Sequence, residues 1–125
     1  VSKVVVIDDE PFILMLVEDR LRRAGLQVVA LRESVGAMQR IRREKPDLII
    51  LDWMMPELSG LELLRALKAD PALSSIPVFM LTAKGRKEDE EKGLASGAAR
   101  FISKPFSPKA LLGAVLQQLG LGDGH

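Results

Sequence analysis

The chain has 125 residues, 47% of them hydrophobic and 28% charged, with 18 lysines and arginines against 17 aspartates and glutamates for a net charge of +1. A length of this order fits one domain burying roughly two-thirds of its unfolded surface, and the composition excludes global disorder. The charge balance leaves no electrostatic footprint for nucleic acid or an anionic membrane, the lack of cysteine excludes disulfides and thiolate chemistry, and no apolar run approaches the roughly 20 residues of a membrane helix.

These features predict a soluble, cytoplasmic protein with no membrane insertion and no direct nucleic-acid binding. The opening valine and the ending Gly120-Leu121-Gly122-Asp123-Gly124-His125 fit a domain cut from a longer chain. Residues 1–119 read as the domain and 120–125 as a tail or the start of a linker, with His125 a terminal residue rather than a ligand.

In chain order, Lys3 to Ile7 is a β-branched run and reads as the first strand. Pro11 then sits where a first helical turn begins, Ile13, Val17, Leu21 and Ala24 mark one face, and Gly25 stops the helix. Gln27 to Leu31 forms the second strand, and Ser34 reads as the cap of a helix through Ala37, Met38 and Ile41 that ends before Pro46. After the third strand, Leu48 to Leu51, Ser59 and Glu62 form a capping-box pattern ahead of Leu64 and Leu67. Val78 to Leu81 is the fourth strand, followed by a charged, weakly amphipathic helix from Arg86 to Ala95. Phe101 to Ser103 is the fifth, and Ser107-Pro108 leads into the stripe Leu112, Val115, Leu116 and Leu119.

Five strands alternating with helices predict an α/β domain with a parallel sheet and right-handed crossovers. Several strands are apolar at successive positions, as helices covering both faces require. For a doubly wound (βα)5 sheet the flavodoxin-like order 2-1-3-4-5 is the leading choice, although periodicity alone does not determine it. Sites in such sheets form beyond the carboxyl ends of the strands.

The polar residues gather there. The first strand runs into Asp8-Asp9-Glu10, the third into Asp52, the fourth into Thr82 and the fifth into Lys104-Pro105. If strands one and three are neighbours, Asp8, Asp9 and Asp52 concentrate negative charge that protonation, Lys104 or a cation must offset. Magnesium suits such a site because it prefers oxygen ligands and commonly joins one or two carboxylates to a phosphate. A carboxylate can attack phosphorus to form an acyl phosphate while a cation, a lysine and a hydroxyl stabilise the equatorial oxygens. Any one of these residues alone is more often a helix cap, an ion pair or a surface charge.

The segments Val6-Ile7-Asp8-Asp9-Glu10-Pro11, Pro46 through Asp52 to Pro56 with Gly60, Leu81-Thr82-Ala83, and Gly97 through Lys104-Pro105-Phe106 resemble the receiver domains of two-component response regulators, chemotaxis regulators among them. The resemblance covers essentially the whole chain. It implies the 2-1-3-4-5 order, and a phosphorylation-controlled switch that catalyses only its own phosphoryl transfer and slow autodephosphorylation. By position, Asp52 is the implied phospho-acceptor, with Asp9, Asp52 and the Met54 carbonyl binding Mg2+ and Asp8 acting through a metal-bound water. Thr82 is implied as the switch hydroxyl, Lys104 as the phosphoryl-binding lysine in a cis peptide with Pro105, and Phe101 as the aromatic that changes rotamer. Met54 and Lys84 are similar to positions that tune phosphoryl lifetime. The implied partners are a sensor histidine kinase or histidine phosphotransfer protein and a fused or separate effector. Ala99, Arg100, Ala110 and Ala114 replace the acids and arginines that join many receivers of winged-helix regulators head to head, so that dimer is not expected.

Rival readings fare worse. A haloacid-dehalogenase-type phosphatase needs an acid where Met54 stands, and a flavodoxin-like carrier needs a Ser/Thr/Gly-rich loop where Asp8-Asp9-Glu10 stands. A pseudo-receiver acting as a phosphorylation-independent interaction module is the remaining alternative, although the acids, hydroxyl and lysine are all present.

Overall fold

The computed structural model describes residues 1–83 and 87–121, with the side chains of Glu88 and Asp89 excepted. Lys84, Arg86 and His125 lie outside the described residues. The elements alternate as β1 (Lys3–Ile7), α1 (Pro11–Arg23), β2 (Gln27–Leu31), α2 (Ala37–Glu44), β3 (Leu48–Asp52), α3 (Gly60–Ala69), β4 (Val78–Ala83), α4 (Lys87–Ala95), β5 (Arg100–Lys104) and α5 (Pro108–Gln118). The strands form one parallel sheet in the order β2-β1-β3-β4-β5, the doubly wound arrangement that the resemblance implies.

Side-chain alternation divides the core in two. Val5, Ile7, Ile49, Leu51, Val78 and Met80 face the α2–α3 side, where Ala37, Ile41, Leu63, Leu64 and Leu67 meet them. Val4, Val6, Leu48, Ile50, Phe79 and Leu81 face the other side and pack against Leu14, Val17 and Leu21 of α1 and Leu111 and Val115 of α5. Strands buried on both faces explain the unbroken apolar runs. Each such side chain contributes about 1.5–3 kcal/mol by leaving water, so the sheet centre is the rigid platform for its own polar edge.

Local signals account for the starts of α3 and α5. Ser59 and Glu62 form the complete capping box, with Glu62 N donating to Ser59 Oγ (3.2 Å) and Ser59 N to Glu62 Oε1 (3.1 Å). Ser107 accepts from Ala110 N at 3.2 Å. Ser34 does not act as expected. The N-cap of α2 is Gly36 in a left-handed conformation (φ 81°), while Ser34 is buried and its hydroxyl donates to the Leu58 carbonyl at 2.6 Å. Tertiary contact with the β3–α3 loop outweighs the local cap.

The helix faces also shift from the sequence reading. In α1 the buried residues are Leu14, Val17 and Leu21, with Ile13 half-buried and Ala24 exposed as the C-cap. In α5 they are Leu111 and Val115, and Leu112, Leu116 and Leu119 pack only partly against the same core. Among the described residues no helix is long and apolar enough to cross a membrane.

Candidate functional site

Register builds the site. β1 pairs with β3 so that Ile7 lies beside Leu51, and the next residue on each strand, Asp8 and Asp52, therefore reaches the same edge. Both are almost wholly buried. Asp8 Oδ1 accepts from the backbone N of Glu10 at 2.9 Å, which turns the chain from β1 into α1.

β5 is separated from β3 by β4, so only a long side chain from its end can cross to Asp52. Lys104 does so. Its Nζ lies 2.9 Å from Asp8 Oδ2, 2.9 Å from Glu10 Oε1 and 3.2 Å from Asp52 Oδ1. The contact with Asp8 is at ion-pair distance but out of hydrogen-bond line, so Asp8 Oδ2 is a buried oxygen to which no donor is directed. The Lys104–Pro105 peptide is cis.

One lysine faces three carboxylates, and the electrostatics reflect that excess. Burial, together with the charge of Asp8, pushes the Asp52 pKa up to about 7; Lys104 opposes this only in part, and a hydrogen bond with Asp9 adds to the rise. Burial alone would lower the Lys104 pKa, but the carboxylates of Glu10, Asp8 and Asp52 outweigh it and hold its pKa above the usual lysine value.

Carboxylate oxygens of Asp8, Glu10 and Asp52 all lie within 4.8 Å of one another. Asp9, half-buried, acts on the ionisation of Asp52 but stands outside that trio. The buried Asp8 and Asp52 offer hard oxygens, the charge is in excess and one buried oxygen lacks a hydrogen-bond donor, so these two acids fit magnesium, whereas Glu10 is the exposed member of the trio and is tied to Lys104. Glu10 is the member that the sequence reading left without a role, although it was visible as the third acid of the run.

The remaining candidates sit around this centre. Thr82 is buried at the end of β4, and its hydroxyl donates to the Ala83 carbonyl at 3.3 Å. Met54, two residues beyond Asp52, is 68% exposed. Phe101 is half-buried, its ring centroid 5.8 Å from that of Trp53 in a tilted pair. The ring fits against α4 because residue 93 is glycine: a Cβ there would lie 2.0 Å from Phe101 Cζ. Arg100 places its guanidinium 5.8 Å from the Phe79 ring centroid.

Gly60 is the second contributor that pattern reading did not explain. A Cβ at this position would stand 2.1 Å from the Asp52 carbonyl oxygen, and Gly60 N donates to the Trp53 carbonyl at 2.9 Å. The start of α3 thus lies directly against the backbone of Asp52.

A sheet ordered 2-1-3-4-5, with acids ending its first and third strands and a lysine ending its fifth, points to the receiver class of signalling domains. Residues 4–116 match the response regulator receiver domain family, and the chain belongs to it. It is 43% identical over 125 aligned residues to the phosphate regulon transcriptional regulatory protein PhoB of Pseudomonas aeruginosa, covering 98% of this chain and 55% of that protein. The chain thus spans about half the length of that relative. Among solved structures it is similar to the signal receiver domain of a signal transduction histidine kinase from Syntrophus aciditrophicus, with TM-score 0.88, 31% identity and coverage of 100% of this chain and 95% of that one. It is also similar to the chemotaxis protein CheY4 of Vibrio cholerae, with TM-score 0.87, 30% identity and coverage of 93% and 97%.

Proposed function

We propose that this receiver domain accepts a phosphoryl group on Asp52 from a phosphohistidine of a sensor histidine kinase or histidine phosphotransfer protein. An Asp52 carboxylate oxygen attacks phosphorus, the P–N bond breaks, and its electron pair returns to the imidazole, which takes up a proton from water. The product is an acyl phosphate, and the domain acts as a switch, not as a turnover enzyme. The observation that carries this reading is the buried strand-end carboxylate held beside Lys104 and the donor-less Asp8 oxygen.

Asp9, Asp52 and the Met54 carbonyl would hold Mg2+, with Asp8 acting through a bound water. When present, the ion favours the charged form of Asp52 and stabilises charge on the phosphoryl oxygens. Lys104 binds a phosphoryl oxygen, and Thr82 offers its hydroxyl to another. Thr82 then abandons the Ala83 carbonyl, and Phe101, lodged between Trp53 and Gly93, responds by rotamer change in the face formed by α4, β5 and α5.

A fused or separate effector reads that face in the cytoplasm. Transcriptional output, named for the Pseudomonas relative, is proposed to require protein beyond the half that this chain matches.

Incubation with a small phosphodonor and Mg2+ should add the mass of one phosphoryl group, and hydroxylamine should remove it. Equal incorporation by Asp52→Asn would overturn the assignment. A parent protein that takes up no phosphoryl group would favour the pseudo-receiver.

A further inference from the structure

Lys104 has three carboxylate partners, and they differ in one respect that matters. Asp8 and Asp52 are buried, their side chains 0% and 5% exposed, whereas Glu10 is 57% exposed. Glu10 therefore approaches the lysine from the solvent side, the side from which a phosphoryl group must arrive. Its bond to Nζ is also shorter than that of Asp52, 2.9 Å against 3.2 Å.

We propose that Glu10 is a latch on the site: its carboxylate occupies the donor of Lys104 that a phosphoryl oxygen needs, and phosphoryl binding must displace it. The inference rests on Asp52 being the phospho-acceptor. An ammonium group has three N–H donors; here Glu10 and Asp52 accept from two of them and Asp8 stands 2.9 Å from the same nitrogen without lying in hydrogen-bond line, so the solvent-facing donor that an arriving phosphoryl oxygen would use is the one Glu10 holds. Asp52 is the nucleophile and must stay in place, and Asp8 is wholly buried. Glu10 alone can swing into water, where its charge is readily solvated.

The latch acts through Lys104, so Glu10 is a positioning residue. It is free to serve in this way because its side chain makes no capping hydrogen bond to α1, although it occupies the N-cap position. Removing it leaves the helix start intact. An exposed ion pair is a weak contact, so its release should tighten binding of a phosphoryl mimic about two- to five-fold.

The test is titration of beryllofluoride into the Mg2+-saturated chain, followed by fluorescence of Trp53, the only tryptophan and the neighbour of Asp52. Glu10→Ala should bind beryllofluoride about two- to five-fold more tightly while its affinity for Mg2+ alone changes less than about two-fold. Glu10→Asp keeps the charge but loses the reach, and should gain as Glu10→Ala does. Asp19→Ala removes an exposed acid elsewhere on α1 and should bind as the parent does.

Unchanged or weaker beryllofluoride binding in Glu10→Ala overturns the latch, as does a loss of Mg2+ affinity, which would make Glu10 a cation ligand. A gain in Glu10→Ala without one in Glu10→Asp, or an equal gain in Asp19→Ala, reduces the effect to charge repulsion and also overturns it. A parent that shows no beryllofluoride response, like Asp52→Asn, refutes the phospho-acceptor reading itself.

Discussion

Gly60→Ala tests whether the junction of β3 and α3 holds Asp52 in place. The new Cβ would lie 2.1 Å from the Asp52 carbonyl oxygen and 2.9 Å from both Asp52 C and Trp53 Cα. All three are backbone atoms, so none can rotate aside, and α3 must retreat by about 1 Å or more to approach the roughly 3.5 Å of ordinary contact. Alanine gains at most about 1 kcal/mol over glycine in helix propensity. Against this, overpacking costs about 1–3 kcal/mol, and the retreat stretches the 2.9 Å bond from Gly60 N to the Trp53 carbonyl, worth about 1 kcal/mol. The clash wins, with a net loss of about 2 kcal/mol and a Tm lower by about 8 °C. Urea unfolding should show a lower midpoint at an unchanged slope, because the surface exposed is the same. Because the displaced atoms belong to Asp52, beryllofluoride binding should weaken too. A variant as stable as the parent, with undiminished binding, would refute the argument that this glycine is required by close approach.

Three further outcomes follow from the same geometry. Asp52 has its folded pKa raised to about 7 from about 3.9 unfolded, so between these values the folded chain holds a proton that the unfolded chain releases, and stability falls as pH rises from about 4 to about 7. Asp52→Asn removes this penalty: without metal its stability relative to the parent should grow by about 2 kcal/mol across that window, after discounting for water at the cleft, and a difference constant from pH 4 to pH 7.5 in urea titrations would contradict it. Gly93→Ala should drive the Phe101 ring from its place beside Trp53, because the contact is with the movable end of a side chain; the lost aromatic pair, about 0.5–1.5 kcal/mol, nearly balances the gain in helix propensity, so near-ultraviolet circular dichroism should change while Tm shifts little, and an unaltered spectrum would show that the ring does not fill that notch. Asp9→Asn should weaken Mg2+ binding by more than Glu91→Gln, a neutralisation on the exposed face of α4; equal affinities by Trp53 fluorescence would remove Asp9 from the metal site.

The alternation of strands and helices was legible in the sequence because parallel strands covered on both faces must be continuously apolar, and Val4 to Ile7 and Leu48 to Leu51 are. The capping box of Ser59 and Glu62 was legible because its bonds span only three residues. The acids and the lysine were visible as strand-end residues, and the strand order came from resemblance, since periodicity carries no information about which strands pair. Tertiary structure decided the rest. It alone placed Asp8 beside Asp52 through the β1–β3 register, turned Ser34 from a cap to a partner of Leu58, and set Gly60 against the Asp52 carbonyl. The role of Glu10 was invisible for the same reason: a carboxylate at a helix start reads as a surface charge until the fold brings a lysine from 94 positions away to within hydrogen-bond distance. Local patterns encode local bonds, whereas a site assembled across three strands exists only once the sheet has set their order and register.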